Sequence, residues 1–312
     1  MVKAALVFAM QRCAEKYRGR FAPSPTGPLH LGSLCTALAG FLQAKSCGGE
    51  WLLRLDDADT PRMAPGAGDG IRRTLARFAL CWDGPVVSQS GETDAYQAAL
   101  KRLDEAGRLY PCTCSRKTLA ALLRQTSEPA VYPGTCRDAG RGRRQPHALR
   151  VTAGEAVITL EDKLQGTRRW DLAREFGDFI VFRRDRIVAY HLATVVDDAK
   201  AGITEVLRGA DLLESTPLQI HLQRLLGLPT PDYRHVPVVV DRQGAKLSKQ
   251  NLAEPVDAMH PSATLFALLR LLGQSPPADL GNAPPEEILA WAVGSWDVSR
   301  LSGVAVAEPE RE

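Results

Sequence analysis

A proline-rich loop between a predicted strand and a predicted helix constrains the fold of this chain most strongly. It lies in the segment RFAPSPTGPLHLGS, residues 20–33. Three prolines within six residues cannot continue a strand, so the strand ends near Ala22. Leucine and phenylalanine then recur at helical spacing, which predicts a helix that starts near His30–Gly32. Gly48 and Gly49 end this helix.

A second predicted strand follows the helix and ends in two carboxylates. Trp51 to Leu55 is apolar apart from one arginine, and Asp56 and Asp57 come directly after it. The order of strand, loop, helix and strand is typical of an α/β sheet. Ligands of such sheets bind at the carboxyl ends of the strands. We therefore expect an α/β fold whose site contains the proline-rich loop and these aspartates.

The rest of the chain continues the α/β pattern around one region of different composition. Residues 110–144 are rich in Cys, Pro, Gly and Arg, which indicates an insertion. Helices are predicted over residues 66–80, 92–107 and 211–226. Strands are predicted over residues 178–182, 187–196, 203–207 and 236–240.

Composition excludes several classes of protein. The 312 residues are 45% hydrophobic and 24% charged, which argues against disorder, and the net charge is only +3. No apolar run approaches the ~18 residues that span a bilayer, so we expect no membrane segment. The apolar start is interrupted by Gln11 and Arg12, and residues 1–16 are interpreted as an N-terminal extension. The seven cysteines are an odd number, and their clustering does not resemble an extracellular disulfide framework, which favours a cytoplasmic location.

One local concentration of charge could mark a contact with nucleic acid. Between Arg137 and Arg150 there are five arginines and one aspartate. Such a run is typical either of a phosphate-binding patch or of a solvated surface loop, and the sequence leaves both interpretations open.

Two short motifs in the expected order resemble the signatures of class I aminoacyl-tRNA synthetases. The segment from His30 to Ser33 resembles HIGH, and Lys246 to Lys249, about 215 residues later, resembles KMSKS. Residues 20–27 and 195–212 resemble two further blocks of the glutamyl-type enzymes. Only 57 residues follow Pro255, too few for an anticodon-binding module. The resemblance is therefore greatest to the glutamyl-queuosine tRNA(Asp) synthetase family, whose members correspond to the catalytic half of a full-length glutamyl-tRNA synthetase.

The resemblance implies a fold and a domain division. We expect a Rossmann-type class I synthetase catalytic domain with a zinc-binding insertion and a short helical C-terminal region. The expected parts are an extension (1–16), the two catalytic halves (17–109 and 151–255, the second with the lysine loop), the insertion (110–150) and the C-terminal region (256–312).

The resemblance also implies an activity. ATP with Mg²⁺ would activate L-glutamate without tRNA, and the glutamyl group would pass to the queuosine base in the anticodon of tRNA(Asp). Two other functions stay open: a truncated glutamyl-tRNA synthetase that charges a tRNA 3′ end, and an inactive paralogue that binds RNA. We expect a monomer.

The ATP site would combine a helix start with the lysine loop. A helix N-terminus offers free backbone N–H groups and a positive dipole to phosphates. Gly32 lets the backbone approach the nucleotide closely. His30 would contact ATP, and Lys246 and Lys249 would neutralise the triphosphate as it rearranges. Ser33 replaces the last residue of HIGH, which removes one nucleotide contact common in the class.

The resemblance assigns further residues to the amino acid. Arg20 would pair with a carboxylate, and Asp56 would hold the α-ammonium. Asp56 stands where the family usually has Glu, so aspartate stays open as an alternative substrate. The other expected contacts come from Phe21, Ala22, Pro23, Ser24, Tyr190 and Arg208.

Three closely spaced cysteines predict a metal site. Cys112, Cys114 and Cys136 in a cytoplasmic protein indicate structural zinc rather than a disulfide. The resemblance points to Tyr132 as the fourth ligand, and His147 is the chemically more ordinary alternative.

Overall fold

The computed structural model describes residues 16–115, 117–119, 131–139, 146–239, 256, 259–301 and 306–307. Lys246 and Lys249 of the lysine loop lie outside the described residues. So do residues 1–15 and three arginines of the basic run, Arg141, Arg143 and Arg144.

The described elements follow the α/β order expected from the sequence. The strands are β1 (Arg18–Phe21), β2 (Glu50–Leu55), β3 (Val87–Ser88), β4 (Leu109–Cys112), β5 (Ala148–Val151), β6 (Val157–Asp162), β7 (Gly166–Asp171), β8 (Phe179–Phe182), β9 (Glu205–Gly209), β10 (Asp232–Val236), β11 (Val238–Val239) and β12 (Val306–Ala307). The α-helices are α1 (Leu31–Ser46), α2 (Ala67–Arg77), α3 (Thr93–Glu105), α4 (Thr135–Asp138), α5 (Leu172–Glu175), α6 (Tyr190–Lys200), α7 (Thr216–Leu226), α8 (Pro261–Leu271) and α9 (Pro285–Ser295).

Parallel strands form the sheet that carries the site. β1 pairs with β2, β2 with β3, and β9 with β10, all in parallel. β9 adjoins β1, because Thr204 N–H donates to the Arg18 carbonyl at 2.9 Å and Arg18 N–H donates to Thr204 Oγ1 at 2.9 Å. The spatial order is thus β3-β2-β1-β9-β10. This is a doubly wound order: successive strands are added on one side of β1 up to β3, and on the other side from β9 onwards.

The first strand–loop–helix unit agrees with its prediction. β1 ends at Phe21, and α1 begins at Leu31, directly after the proline-rich loop. The apolar face of α1 buries Leu34, Leu38 and Leu42 completely. Together with Trp51 of β2 these side chains belong to the largest apolar cluster, so the sheet fixes the position of the helix start.

A second, antiparallel sheet contains the insertion and reaches beyond it. β5 lies between β4 and β8. We expected residues 178–182 to continue the main sheet, but β8 pairs with β5 instead. The antiparallel sheet therefore joins residues on both sides of the predicted boundary at 150. The β6–β7 hairpin was not predicted. It contacts the main sheet at β10, where the Lys163 N–H donates to the Tyr233 carbonyl at 3.0 Å.

The predicted strand over residues 187–196 is wrong. Residues Tyr190–Lys200 form helix α6, with Leu192 and Val195 buried along one side and Asp197 and Asp198 buried near its end. The β-branched run at 194–196 suggested a strand, but tertiary packing outweighs such local preference. As a consequence the two aspartates approach the main sheet from a helix.

The remaining predicted helices are confirmed with small changes. α2 and α3 lie within the predicted ranges. Residues 211–226 divide into a 3₁₀ segment (Ala210–Ser215) and α7, where Pro217 occupies the first turn, the usual place for proline in a helix. α8 and α9 supply the expected helical C-terminal region. Among the described helices none is long and apolar enough to cross a membrane.

Candidate active site

A cavity of about 300 Å³ opens at the carboxyl ends of β1, β2 and β9. The proline-rich loop, the start of α1 and the start of α6 complete its walls. All the predicted ATP and amino-acid residues that the structure describes line this cavity. They are Arg20, Phe21, Ala22, Pro23, Ser24, His30, Gly32, Asp56, Tyr190 and Arg208. Lys246 and Lys249 lie outside the described residues, so their place relative to the cavity stays a prediction.

The start of α1 presents the features expected of an anion site. His30 is the N-cap residue, and its Nδ1 accepts a hydrogen bond from the Ser33 N–H at 3.2 Å. The Ser33 hydroxyl lies 2.8 Å from His30 Nε2. Ser33 thus contacts both ring nitrogens and orients the imidazole. No acidic residue occupies the first turn, so no carboxylate of this turn offsets the positive end of the helix dipole.

Beneath the cavity lies a buried ion cluster of five residues: Arg20, Arg54, Asp56, Asp197 and Asp198. Arg20 binds Asp198 through Nε and Nη2 at 3.1 and 3.2 Å. Arg54 binds Asp56 through Nε at 2.7 Å and Asp198 through Nη1 at 2.6 Å. The Asp197 carboxylate lies 3.7 Å from Arg54 Nε. Arg54 therefore contacts all three carboxylates.

The ion cluster carries one more negative than positive charge. Its three carboxylates face two guanidinium groups, and every side chain is buried. Burial raises the pKa of Asp56 despite Arg54, and it raises the pKa of Asp197 to about 6. Burial also opposes ionisation of Asp198, but Arg20 and Arg54 outweigh it and lower the pKa of that carboxyl. A cation bound at Asp56 would balance the charge.

Arg208 enters the same cavity, which Asp211 also lines. It is buried, and its Nη1 donates to the Tyr190 hydroxyl at 3.3 Å and its Nη2 to Thr216 Oγ1 at 2.9 Å. Its Nε donates to His235 Nε2 at 3.1 Å. Within the described residues no carboxylate forms a salt bridge with Arg208. A buried guanidinium of this kind is suited to pair with an anionic group of a ligand.

Sequence reasoning missed Arg54 and His235, and it gave no role to Asp197 or Asp198. Arg54 had a detectable signal, because residues two apart in a strand point to the same face, so Arg54 accompanies Asp56. The two aspartates lay in a recognised block but in a segment predicted as a strand. His235 had no local signal.

The predicted metal ligands form a compact group between the end of β4 and α4. The Sγ atoms of Cys112, Cys114 and Cys136 lie within 4.8 Å of one another. Within the described part of the chain, His147 does not belong to this group. The Tyr132 hydroxyl lies 3.6 Å from Cys112 Sγ and 3.8 Å from Cys114 Sγ. Tetrahedral zinc with Zn–S bonds of about 2.3 Å separates its ligands by roughly 3.8 Å. The group therefore fits a zinc ion.

Ionisation of Cys136 also suits a metal. Burial opposes it, but hydrogen bonds from Tyr132 and from the Thr113 N–H outweigh burial and lower the pKa of this thiol to about 6. The thiolate, the form that binds metal, is then available at neutral pH.

The described ends of the basic run bind protein groups. Arg150 is buried, donates to the Asp178 carbonyl at 2.6 Å and stacks 3.7 Å above the Tyr132 ring. Arg137 pairs with the Asp178 carboxylate at 2.8 Å. A role for Arg150 as a surface phosphate contact is therefore wrong, because its guanidinium is internal.

Comparison with known proteins assigns the family. Residues 16–284 match the family of class I tRNA synthetases (E and Q), catalytic domain. A protein of Methylococcus capsulatus named glutamyl-Q tRNA(Asp) synthetase is 54% identical over 288 residues, which cover 91% of this chain and 93% of the relative. The chain belongs to the glutamyl-Q tRNA(Asp) synthetase family. A relative of the same name from Pseudomonas aeruginosa is 47% identical over 95% of this chain and 99% of its own.

Solved structures agree with a synthetase fold for this family member. The chain is similar to the glutamate-tRNA synthetase of Elizabethkingia anophelis, with a TM-score of 0.76 and 24% identity over 95% of this chain and 68% of that one. A glutamate tRNA ligase of Elizabethkingia meningosepticum, solved with its amino acid, gives a TM-score of 0.75 at 23% identity over 95% and 67%. The class I synthetase catalytic fold is confirmed.

The ion cluster predicts effects of very different size on stability for two substitutions. Arg54→Met leaves three buried carboxylates with one arginine, and we expect it to lower the free energy of unfolding by about 3–5 kcal/mol. Asp56→Asn removes the excess negative charge, and we expect a change below about 1 kcal/mol. Urea unfolding at pH 7 measures both. An Asp56→Asn protein as unstable as Arg54→Met would contradict the charge assignment.

Proposed function

We propose that the chain is an ATP-dependent ligase that activates L-glutamate without tRNA and transfers it to the queuosine base in the anticodon of tRNA(Asp). The observation that supports the amino-acid part is that one cavity is lined both by Asp56, a member of the negatively charged ion cluster, and by Arg208, which forms no salt bridge with a described carboxylate. The name shared by relatives 47–54% identical over nearly the whole chain supports the acceptor.

Glutamate fits the charges of the cavity. Its ammonium would lie at Asp56 and bring the ion cluster to charge balance. Arg208 with the Tyr190 hydroxyl would bind one carboxylate, and Arg20 would face the other with Nη1, which its bond to Asp198 does not use. Ser24 and the backbone of Phe21, Ala22 and Pro23 would complete the walls.

Activation needs positioning and charge stabilisation more than proton transfer. A carboxylate oxygen attacks the α-phosphorus of ATP, the bond to pyrophosphate breaks, and glutamyl-AMP forms. The α1 N-terminus with His30 and Gly32 would receive the phosphates, Mg²⁺ would accompany them, and Lys246 and Lys249 would act from the lysine loop. Ser33 would keep the His30 ring in place.

Transfer then uses a hydroxyl of the acceptor. The cyclopentene diol of queuosine offers an oxygen that attacks the activated carbonyl, and AMP leaves. A second cavity of about 860 Å³ borders the first through Ser24, Thr26, Asp56 and Tyr190. It extends towards Tyr132 and Arg183, and this gives a macromolecular acceptor room to reach the activated glutamate.

We further propose the division into an extension (1–16), catalytic halves (17–109 and 151–255), an insertion (110–150) and a C-terminal region (256–312). The antiparallel sheet of β4, β5 and β8 would anchor the insertion to the second half. A cytoplasmic monomer is the proposed working form.

We propose that Cys112, Cys114, Tyr132 and Cys136 hold one structural zinc ion. The thiolate-forming Cys136 and the clustered sulfurs support this set, and Tyr132 rather than His147 lies beside them. When bound, zinc would tie β4 to α4 and stabilise the insertion.

Loss of one sulfur should remove the metal. We expect the purified protein to contain about one zinc per chain, and Cys114→Ser to lose most of it. Metal analysis by mass spectrometry measures the content, and Cys81→Ser, which alters an exposed thiol away from the group, is the control. Equal zinc in the wild type and in Cys114→Ser would disprove the site.

The acceptor is tested by trimming the tRNA. We expect glutamate-dependent exchange of pyrophosphate into ATP without tRNA, and labelling of tRNA(Asp) by radioactive glutamate even after its 3′ adenosine is removed. The reason is that the acceptor hydroxyl belongs to queuosine, so tRNA from cells without queuosine is the negative control. Loss of label on trimming would instead indicate a truncated synthetase, and absence of exchange would indicate an inactive paralogue.

A further inference from the structure

We propose that Asp162 and His235 are positioning residues for the amino acid: Asp162 fixes the tautomer of His235, and His235 orients Arg208 at the cavity. The inference deepens the proposed function and rests on it. Neither residue lines the cavity, and neither stands in the synthetase signatures.

The two residues form a buried chain that ends at Arg208. Asp162 is the last residue of β6, and His235 lies in β10. Asp162 Oδ2 lies 2.5 Å from His235 Nδ1, and both side chains are 0% exposed. On the other side of the ring, His235 Nε2 lies 3.1 Å from Arg208 Nε and 3.1 Å from Thr216 Oγ1, which also accepts from Arg208 Nη2. The three side chains therefore contact one another in sequence.

The partners determine which ring nitrogen carries the proton. A guanidinium only donates hydrogen bonds, so Nε2 must accept from Arg208. An ionised carboxylate only accepts, so Nδ1 must donate to Asp162. Burial opposes ionisation of Asp162, but hydrogen bonds from His235 and from the backbone of Gln165 and Leu164 outweigh burial, so the pKa of this carboxyl is lowered. Burial lowers the pKa of His235, so its ring is neutral at pH 7.

The backbone locks Asp162 in this orientation. Its Oδ1 accepts from the N–H groups of Leu164 at 3.0 Å, Gln165 at 2.8 Å and His235 at 3.3 Å. Only Oδ2 therefore faces the imidazole. The β6–β7 hairpin thus sets the proton position of a residue in the parallel sheet.

A neutral imidazole suits Arg208 better than a carboxylate would. His235 and Thr216 hold the guanidinium in place but do not cancel its charge. The imidazole ring separates the negative charge of Asp162 from Arg208. The carboxylate of Asp211 also acts on His235, and its charge favours the protonated ring. Arg208 is in this way oriented while its positive charge is kept for a ligand carboxylate.

Asp162→Asn is an isosteric test of the tautomer. Three backbone N–H groups require an oxygen at the Oδ1 position, so the new NH₂ must face His235. This donor requires Nδ1 to accept, which moves the ring proton to Nε2. That proton can donate to Thr216 Oγ1, but Nε2 then no longer accepts from the Nε–H of Arg208. We expect the KM for glutamate in pyrophosphate exchange to rise at least about tenfold, as when a hydrogen bond to a charged group is lost, with the KM for ATP within about twofold of wild type.

Three measurements make the test decisive. Long-range ¹⁵N–¹H NMR of the imidazoles should show Nδ1–H at His235 in the wild type and Nε2–H in Asp162→Asn. His235→Gln, whose carbonyl can reach the Nε2 position and accept from Arg208, should retain glutamate binding better than His235→Leu. The control Asp232→Asn makes the same chemical change at an exposed residue of β10 that pairs with Lys163, and it should leave both KM values unchanged.

The outcomes separate the two proposals. An unchanged glutamate KM in Asp162→Asn, or the same tautomer in both proteins, would overturn the positioning role while leaving the ligase intact. A wild-type protein without glutamate-dependent exchange would overturn the proposed function, and the NMR comparison would still decide the tautomer.

Discussion

The contact of Arg54 with three carboxylates is the interaction on which the cavity depends. It joins the end of β2 to helix α6, and through Asp198 it reaches Arg20 in β1. Buried ion clusters add little stability compared with apolar groups of equal volume. The cluster instead places the Asp56 carboxylate, with the excess negative charge of the cluster, at the floor of the cavity. Arg54 holds the Asp56 carboxylate, and the Asp56 N–H donates to the Pro23 carbonyl of the proline-rich loop at 3.0 Å.

The arginines of the site differ in the charge of their binding partners. Arg20 and Arg54 are neutralised by aspartates, whereas Arg208 is held by an imidazole and two hydroxyl groups. Among the described residues, the cavity therefore combines Asp56 of the negatively charged ion cluster with Arg208, which no carboxylate binds directly. A ligand with an ammonium and carboxylates satisfies both at once. Family membership and local electrostatics therefore lead to the same class of substrate.

The sequence predicted the first strand–loop–helix unit because prolines and helical periodicity leave few alternatives there. The motif at the start of α1 predicted His30 and Gly32, and the wider resemblance to the glutamyl-type enzymes predicted the other described residues of the site. Sequence prediction failed at α6, where a β-branched run resembled a strand, and at β8, which pairs with the insertion. His235 was missed because its partner Asp162 is 73 residues away in the sequence and only tertiary packing brings the two close. Arg54 had a local signal in its spacing to Asp56, but its contact with Asp198 also depends on tertiary packing.

The central claim is that Asp56 binds an ammonium group while Arg208 binds a carboxylate. Isothermal titration calorimetry of the wild-type protein with glutamate and with glutarate, which lacks only the ammonium, tests it most directly. Loss of a buried charge pair should weaken glutarate binding at least about a hundredfold relative to glutamate. Equal affinity for the two ligands would contradict the account.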